Sequence, residues 1–216
     1  MVKEDHDNIT KMVKEGYNEI AEIYEQFTDR NTPNLEIFKQ FVSLIDPKKR
    51  ILELGCGSGS PTCNYFFSNG FQYTGVDLSE KQLELAKKFF PKYKNNFREE
   101  EMLSYTKSQQ EKSFDALIAL FCIFHLPKFN HLELFKNIKR ILTDGSPVLF
   151  TAADSDNEGT EDNWIGGGKT MFWSNYPYSW YEEKLAEIGF KHLNTFRREF
   201  EFANEIEIQY FLLFQA

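Results

Sequence analysis

The residues Glu53-Leu54-Gly55-Cys56-Gly57-Ser58-Gly59 have types and spacing that point directly to chemistry. Ile51-Leu52 leads in, an acid follows, and glycine then recurs at alternate positions. This is how a buried strand passes into a loop that cradles a nucleotide. Glycine has no Cβ, so such a loop takes positive φ and lets a ligand lie against its backbone. The helix that follows turns its free N–H groups and positive dipole end toward the same place.

Three further residues stand where strands end. Asp77 closes a second apolar run at the interval where a carboxylate can accept from both ribose hydroxyls, and its structural alternative is an acid favoured at a helix N-terminus. Glu101 closes the charged run Glu99-Glu100-Glu101, whose register can slip by one or two residues and whose alternative is a solvated face. His125 can act as base toward a hydroxyl, thiol or amine, or simply sit satisfied in a turn. Cys122, in Phe121-Cys122-Ile123-Phe124, lacks a nucleophile's surroundings and reads as a small buried hydrophobe.

The elements that must carry these residues alternate. An amphipathic helix bears Tyr17, Ile20, Ala21, Tyr24 and Phe27, and a second starts at Thr32-Pro33 and stops at Asp46-Pro47. Strands follow near 50–54, 71–76, 96–101, 114–121 and 147–152, with helices over 61–68, 79–90 and 132–142. Ser79 and Gln82 form a capping box. A helix over 178–188 precedes a closing antiparallel hairpin over 192–200 and 206–214. This rhythm predicts a parallel, doubly wound α/β sheet. The stretch Asp154–Tyr176 is a long loop with aromatics, the kind that serves as a binding element or lid.

With 216 residues and 41% hydrophobic content, the chain is predicted to build one core. A net charge of −8 offers no footprint for a phosphate backbone, so no nucleic-acid partner is expected. Cys56, Cys63 and Cys122 lack paired spacing and the four histidines are scattered, which argues against a disulfide framework and a metal site. A polar N-terminus and no membrane-length apolar run point to a cytoplasmic chain with no membrane partner; a monomer or homodimer is expected.

The Glu-x-Gly-x-Gly-x-Gly pattern, with Ser60 where a dinucleotide fingerprint wants its third glycine, resembles the first motif of class I S-adenosylmethionine-dependent methyltransferases. Trp164 to Ser174, followed by a helix ending in Ile188-Gly189-Phe190, resembles the small type 11 or type 25 methyltransferase domain group. The resemblance implies a Rossmann-like doubly wound seven-stranded sheet of order 3-2-1-4-5-7-6, its seventh strand antiparallel. Residues 1–46 would form an N-terminal helical lid and 47–216 the methyltransferase domain.

By the same resemblance, S-adenosylmethionine is the cofactor and a small molecule of unknown nucleophile the methyl acceptor. Glu53 orients the loop and approaches the amino-acid end of the cofactor, while Gly55, Cys56, Gly57, Ser58 and Gly59 cradle it. Asp77 takes the ribose, Glu101 accepts from adenine with the Met102 N–H donating to the ring, and Leu78, Gln82, Leu120 and Phe121 complete the site. Tyr17 covers the cofactor from the lid, whereas Tyr24 is assigned to the core. His125 is the candidate base, and Phe124, Trp164, Trp173 and Tyr176 are the candidate acceptor contacts. A dinucleotide-dependent oxidoreductase, a catalytically silent cofactor-binding protein, and methylation of protein or nucleic acid stay open beside this assignment.

Overall fold

The computed structural model of the protein describes residues 2–27, 32–59, 61–203 and 205–216. Ser60, which separates the two cofactor patterns, lies outside them. The parallel strands are β1 (Arg50–Leu54), β2 (Gln72–Asp77), β3 (Phe97–Glu99), β4 (Ala116–Ala119) and β5 (Pro147–Ala152). After β6 (Asn157–Asp162) and β7 (Thr170–Asn175), β8 (Lys191–Phe202) and β9 (Glu205–Gln215) close the chain. The main sheet has the order β3-β2-β1-β4-β5-β9-β8, with β9 antiparallel to β5. Counting only its members, this is the predicted 3-2-1-4-5-7-6.

Alternation along these strands sends side chains to two apolar faces. Leu52, Leu54, Leu117, Phe150 and Phe214 bury one face among the side chains of α6 (Lys128–Ile141) and α7 (Tyr178–Glu187). Ile51, Ile118, Leu149, Phe211 and Leu213 meet α2 (Glu36–Ser43), α3 (Thr62–Ser68) and α4 (Glu80–Phe89) on the other. At the start of β1, Arg50 grips Asp115 through Nε at 2.8 Å and holds its carboxyl down at about 2.

The first helix is α1 (Val2–Phe27), and its Lys14 meets Glu99 at 2.6 Å. Two sequence expectations are corrected. Only α1 roofs the cavity described below. The second helix assigned to the lid, α2, buries Ile37, Phe38 and Phe41 in the sheet core, because its stripe continues the packing of β1 and β5. The stretch 154–176 is largely a hairpin, β6 paired antiparallel with β7, and not an irregular loop. Val13 and Ile20 of α1 pack on Met171 and Phe172 of β7. Helix α5 (Met102–Ser108) carries no apolar periodicity that its seven residues could display, and the sequence did not announce it.

Candidate active site

The C-terminal ends of β1, β2 and β4 open into one cavity of about 770 Å³, roofed by α1 and walled by the β6–β7 and β8–β9 hairpins. That volume lies in the range of small-molecule and cofactor sites.

At its inner end Gly55, Gly57 and Gly59 all have positive φ, at 65°, 51° and 81°. A Cβ on Gly55 would stand 2.3 Å from that of Cys122, so this position is closed to any side chain. At Gly57 a Cβ would meet only the Gln82 Oε1, 3.6 Å away, leaving the backbone open to a ligand. The Gly57 N–H donates to Asp77 Oδ2 at 2.7 Å and the Ser79 N–H to Oδ1 at 2.8 Å. Burial raises the Asp77 pKa against the pull of these amides. The Ser79 hydroxyl accepts from Gln82 N, but Ser79 N is taken by Asp77, so half of the capping box is replaced. Gln82 is thereby free to point elsewhere; it is 2% exposed, lines the cavity, and its Nε2 has no partner. An orphaned buried donor facing an open glycine loop fits a polar cofactor in this place.

Glu53 is buried at the same end, where it accepts from Thr62 Oγ1 and from the Tyr73 hydroxyl, each at 2.7 Å. Burial still pushes its pKa up to about 7. Thr62 and Tyr73 were not foreseen, since only the fold brings them to the acid. Glu101 is the N-cap of α5, accepting from Leu103 N at 2.7 Å and Ser104 N at 2.8 Å, and it lines the cavity beside Glu100 and Met102. The strand expected to end at Glu101 ends at Glu99, and Glu101 instead fills the capping place that Ser, Thr, Asp or Asn more often takes.

The roof closes on His125. The Tyr17 hydroxyl lies 2.8 Å from its Nε2, and its Nδ1 lies 2.8 Å from the Phe172 carbonyl. A carbonyl only accepts, so Nδ1 carries the proton, and Nε2 receives the Tyr17 O–H. Burial lowers the histidine to about 4 and lifts the Tyr17 phenol well above its ordinary value. The other histidine of this region, His131, is also buried; its Nε2 lies 2.8 Å from the Leu126 carbonyl, its Nδ1 2.8 Å from the Tyr181 hydroxyl, and it stays outside the cavity lining.

Of the residues singled out from the sequence, the cavity gathers Tyr17, Glu53, Gly55 to Ser58, Asp77, Leu78, Gln82, Glu101, Met102, Leu120 and Phe121, together with Phe124, His125, Trp164 and Trp173. Two stand apart. Gly59 serves the turn, its N–H donating to the Cys56 carbonyl at 2.8 Å. Tyr176 stacks on Trp180 at 3.9 Å, turned away because it follows the last residue of β7. Conversely Tyr24, assigned to the core, stands on the cavity wall. The contributions of Phe200, Phe202, Glu207 and Gln209 were missed, because nothing in their alternation says that a hairpin outruns its sheet.

Among the described residues, no group of three or more His, Cys, Asp or Glu is placed to hold a metal ion, and no helix is long and apolar enough to cross a membrane. A family model described as a methyltransferase domain matches residues 25–201. The chain therefore belongs to the methyltransferase domain family, within the class I S-adenosylmethionine-dependent group. Among curated proteins, 27-O-demethylrifamycin SV methyltransferase of Amycolatopsis mediterranei is 30% identical over 44% of this chain and 35% of its own length. The tRNA N(3)-methylcytidine methyltransferase trm140 of Schizosaccharomyces pombe is 28% identical over 53% of this chain and 41% of its own. The chain thus spans under half the length of either. In fold it is similar to magnesium protoporphyrin IX methyltransferase from Synechocystis PCC 6803, solved with bound SAM, at a TM-score of 0.69 and 14% identity over 96% of this chain and 97% of that one.

Proposed function

We propose that the protein transfers a methyl group from S-adenosylmethionine to a small-molecule acceptor and releases S-adenosylhomocysteine. The observation that carries this reading is the coincidence, in one cavity, of the open glycine loop on Asp77 and the orphaned Gln82 amide with an aromatic outer wall under α1. Family membership supports the cofactor.

The cofactor supplies a methyl group on sulfur that is already a good leaving group, so the protein's share is to bind, orient and exclude water. Gly57 would let it lie on the main chain, with Asp77 at the ribose and Gln82 donating from Nε2. Glu100 and Glu101 would face the base, and Glu53 the amino-acid end. Tyr17 and His125 close the wall between cofactor and acceptor. With Nε2 occupied, His125 would receive an acceptor's proton by way of the Tyr17 hydroxyl. A histidine lowered to about 4 is a weak base, so positioning carries most of the reaction in this site.

A tRNA acceptor is the second reading, favoured by the trm140 likeness, and the acidic, roofed cavity speaks for the first. The test is incubation with methyl-labelled S-adenosylmethionine in a cell extract. Label in the acid-soluble small-molecule fraction is expected, label precipitating with macromolecules would turn the assignment to the second reading, and no transfer beside tight S-adenosylhomocysteine binding would leave a silent binding protein. In calorimetry, Asp77→Asn is expected to weaken S-adenosylhomocysteine about tenfold or more, the worth of a charged hydrogen bond. Tight binding of NADH instead would mark an oxidoreductase.

A further inference from the structure

The outer half of the cavity is built by three segments distant in sequence. Tyr24 of α1, Trp164 between β6 and β7, and Phe202 at the end of β8 form one aromatic wall, with centroids 5.9 Å apart for Tyr24 and Trp164 and Trp164 stacked on Phe202 at 5.9 Å and 15°. Phe27 extends it, its ring tilted at 51° to that of Phe202 with centroids 5.4 Å apart. At the rim, Ile208 is 40% exposed and adds an apolar margin to the lining.

Charge on this half runs one way. The hairpins and the turn after β5 contribute Asp154, Glu161 and Glu207 to the lining, against one described cation, Arg197. Arg197 is spent on its neighbour Glu199, 2.7 Å away. Glu161 and Glu207 come from different hairpins and face the same space; burial, then Glu205 and Glu161, raise the Glu207 carboxyl. The Gln209 Oε1, beside Glu207 on β9, is a buried acceptor without a partner. A carboxylate or phosphate on the acceptor would meet repulsion here and find no unpaired cation among the described lining residues. A positive group would find carboxylates, an unsatisfied carbonyl oxygen and ring faces together. The unpartnered Trp173 Nε1–H leaves a place for a neutral oxygen on the same ligand.

We infer that the methyl acceptor is an amine carried on an apolar or aromatic body, its ammonium recognised by Glu161, Glu207 and Gln209. The inference rests on the methyl-transfer reading for the word acceptor, but the charge preference of the pocket stands by itself. The ammonium gives one proton to a carboxylate and thence to solvent. The freed nitrogen lone pair forms the N–CH₃ bond as the S–CH₃ electron pair returns to sulfur, leaving a methylammonium, S-adenosylhomocysteine and that one proton.

The test uses two probes equal in ring and opposite in charge, 2-phenylethylamine and phenylacetate, titrated by calorimetry into the full chain saturated with S-adenosylhomocysteine. The amine is expected to bind about tenfold tighter or better. The double variant Glu161→Gln/Glu207→Gln should lose about tenfold in amine affinity and keep its S-adenosylhomocysteine affinity, which also reports that it folds. Phenylacetate binding as well as the amine, no amine binding at millimolar concentration, or an amine affinity indifferent to the double variant each overturns the inference. If S-adenosylhomocysteine itself does not bind, the methyl-transfer reading fails, and the same probes without it still decide the charge preference.

Discussion

The Tyr17 hydroxyl, from the first helix, sits 2.8 Å from Nε2 of His125 in the turn after β4, so that a single hydrogen bond fastens the roof of the cavity to its wall. The histidine is held from behind by the Phe172 carbonyl of β7, which fixes the tautomer that accepts this bond. Tyr17→Phe and His125→Ala should therefore be non-additive. Each is expected to cost about 1–2 kcal/mol in chemical unfolding and to speed S-adenosylhomocysteine release, while the pair costs little more than one. Strictly additive effects in the double-mutant cycle would show that the bond does not form in solution.

Glu53 should couple cofactor binding to a proton. Its carboxyl, raised to about 7 by burial, is about half protonated at neutral pH. A cationic ligand alongside favours the ionised form, so binding S-adenosylmethionine at pH 7 should expel part of a proton, and affinity should fall as pH drops below 7. Calorimetry in buffers of different ionisation enthalpy measures this directly. A buffer-independent enthalpy, or a buffer dependence that persists unchanged in Glu53→Gln, removes Glu53 from the cofactor's surroundings.

Stability should weaken on mild acidification. His125 and His131 sit at about 4 folded, below the ordinary 6.5, so the stability tied to their neutral forms is complete above pH 6.5 and lost as pH falls toward 4. Glu53, raised from 4.5 to about 7, works the other way, favouring the fold as pH drops through that interval. The two histidines leave the unfolded chain binding extra protons near pH 5, and Glu53 with the raised Asp77 and Glu207 carboxyls offsets part of that uptake. Urea unfolding at pH 6.5, 5.5 and 4.5 would reveal it, and stability that is flat or rises over this series contradicts the burial of the two rings.

Gly167→Ala should loosen the lid by sterics alone. Its φ is ordinary, but a Cβ there would stand 2.0 Å from Cγ2 of Ile20 on α1. Overpacking of this kind costs about 1–3 kcal/mol. A Tm lower by a few degrees is expected, with faster hydrogen exchange in α1 and weaker cofactor retention. An unchanged Tm would mean that the glycine turn and the helix do not meet.

Much of the fold could be read without coordinates, because buried parallel strands are apolar throughout and the glycine, proline and capping residues between them have local causes. Residues 116–119 are of this kind, as are 51–54 and 147–152 apart from Glu53 and Thr151, and the strand order came from resemblance. The half-capping of Ser79 was legible in part, but its second arm was not, since Asp77 takes the Ser79 N–H only when β2 and α4 are set at their angle. Short α5 was hidden, as seven residues with a carboxylate cap give periodicity too little room. The hairpin of β6 and β7 was hidden for a different reason: Asn157–Asp162 is exposed at every position, so no alternation marks it as a strand.

The sequence by itself determined the inner end of the cavity, because a nucleotide-cradling loop and the acids at strand ends are short-range consequences of residue type and spacing. Only the tertiary structure decided the outer end. Tyr24, Trp164, Phe202, Glu207 and Gln209 come from three separate segments and meet only because α1 and the two hairpins fold over the sheet. The same holds for Tyr17 and His125, which are 108 residues apart in sequence and joined by one hydrogen bond in space. Such pairings are set by packing between elements, which no local pattern encodes.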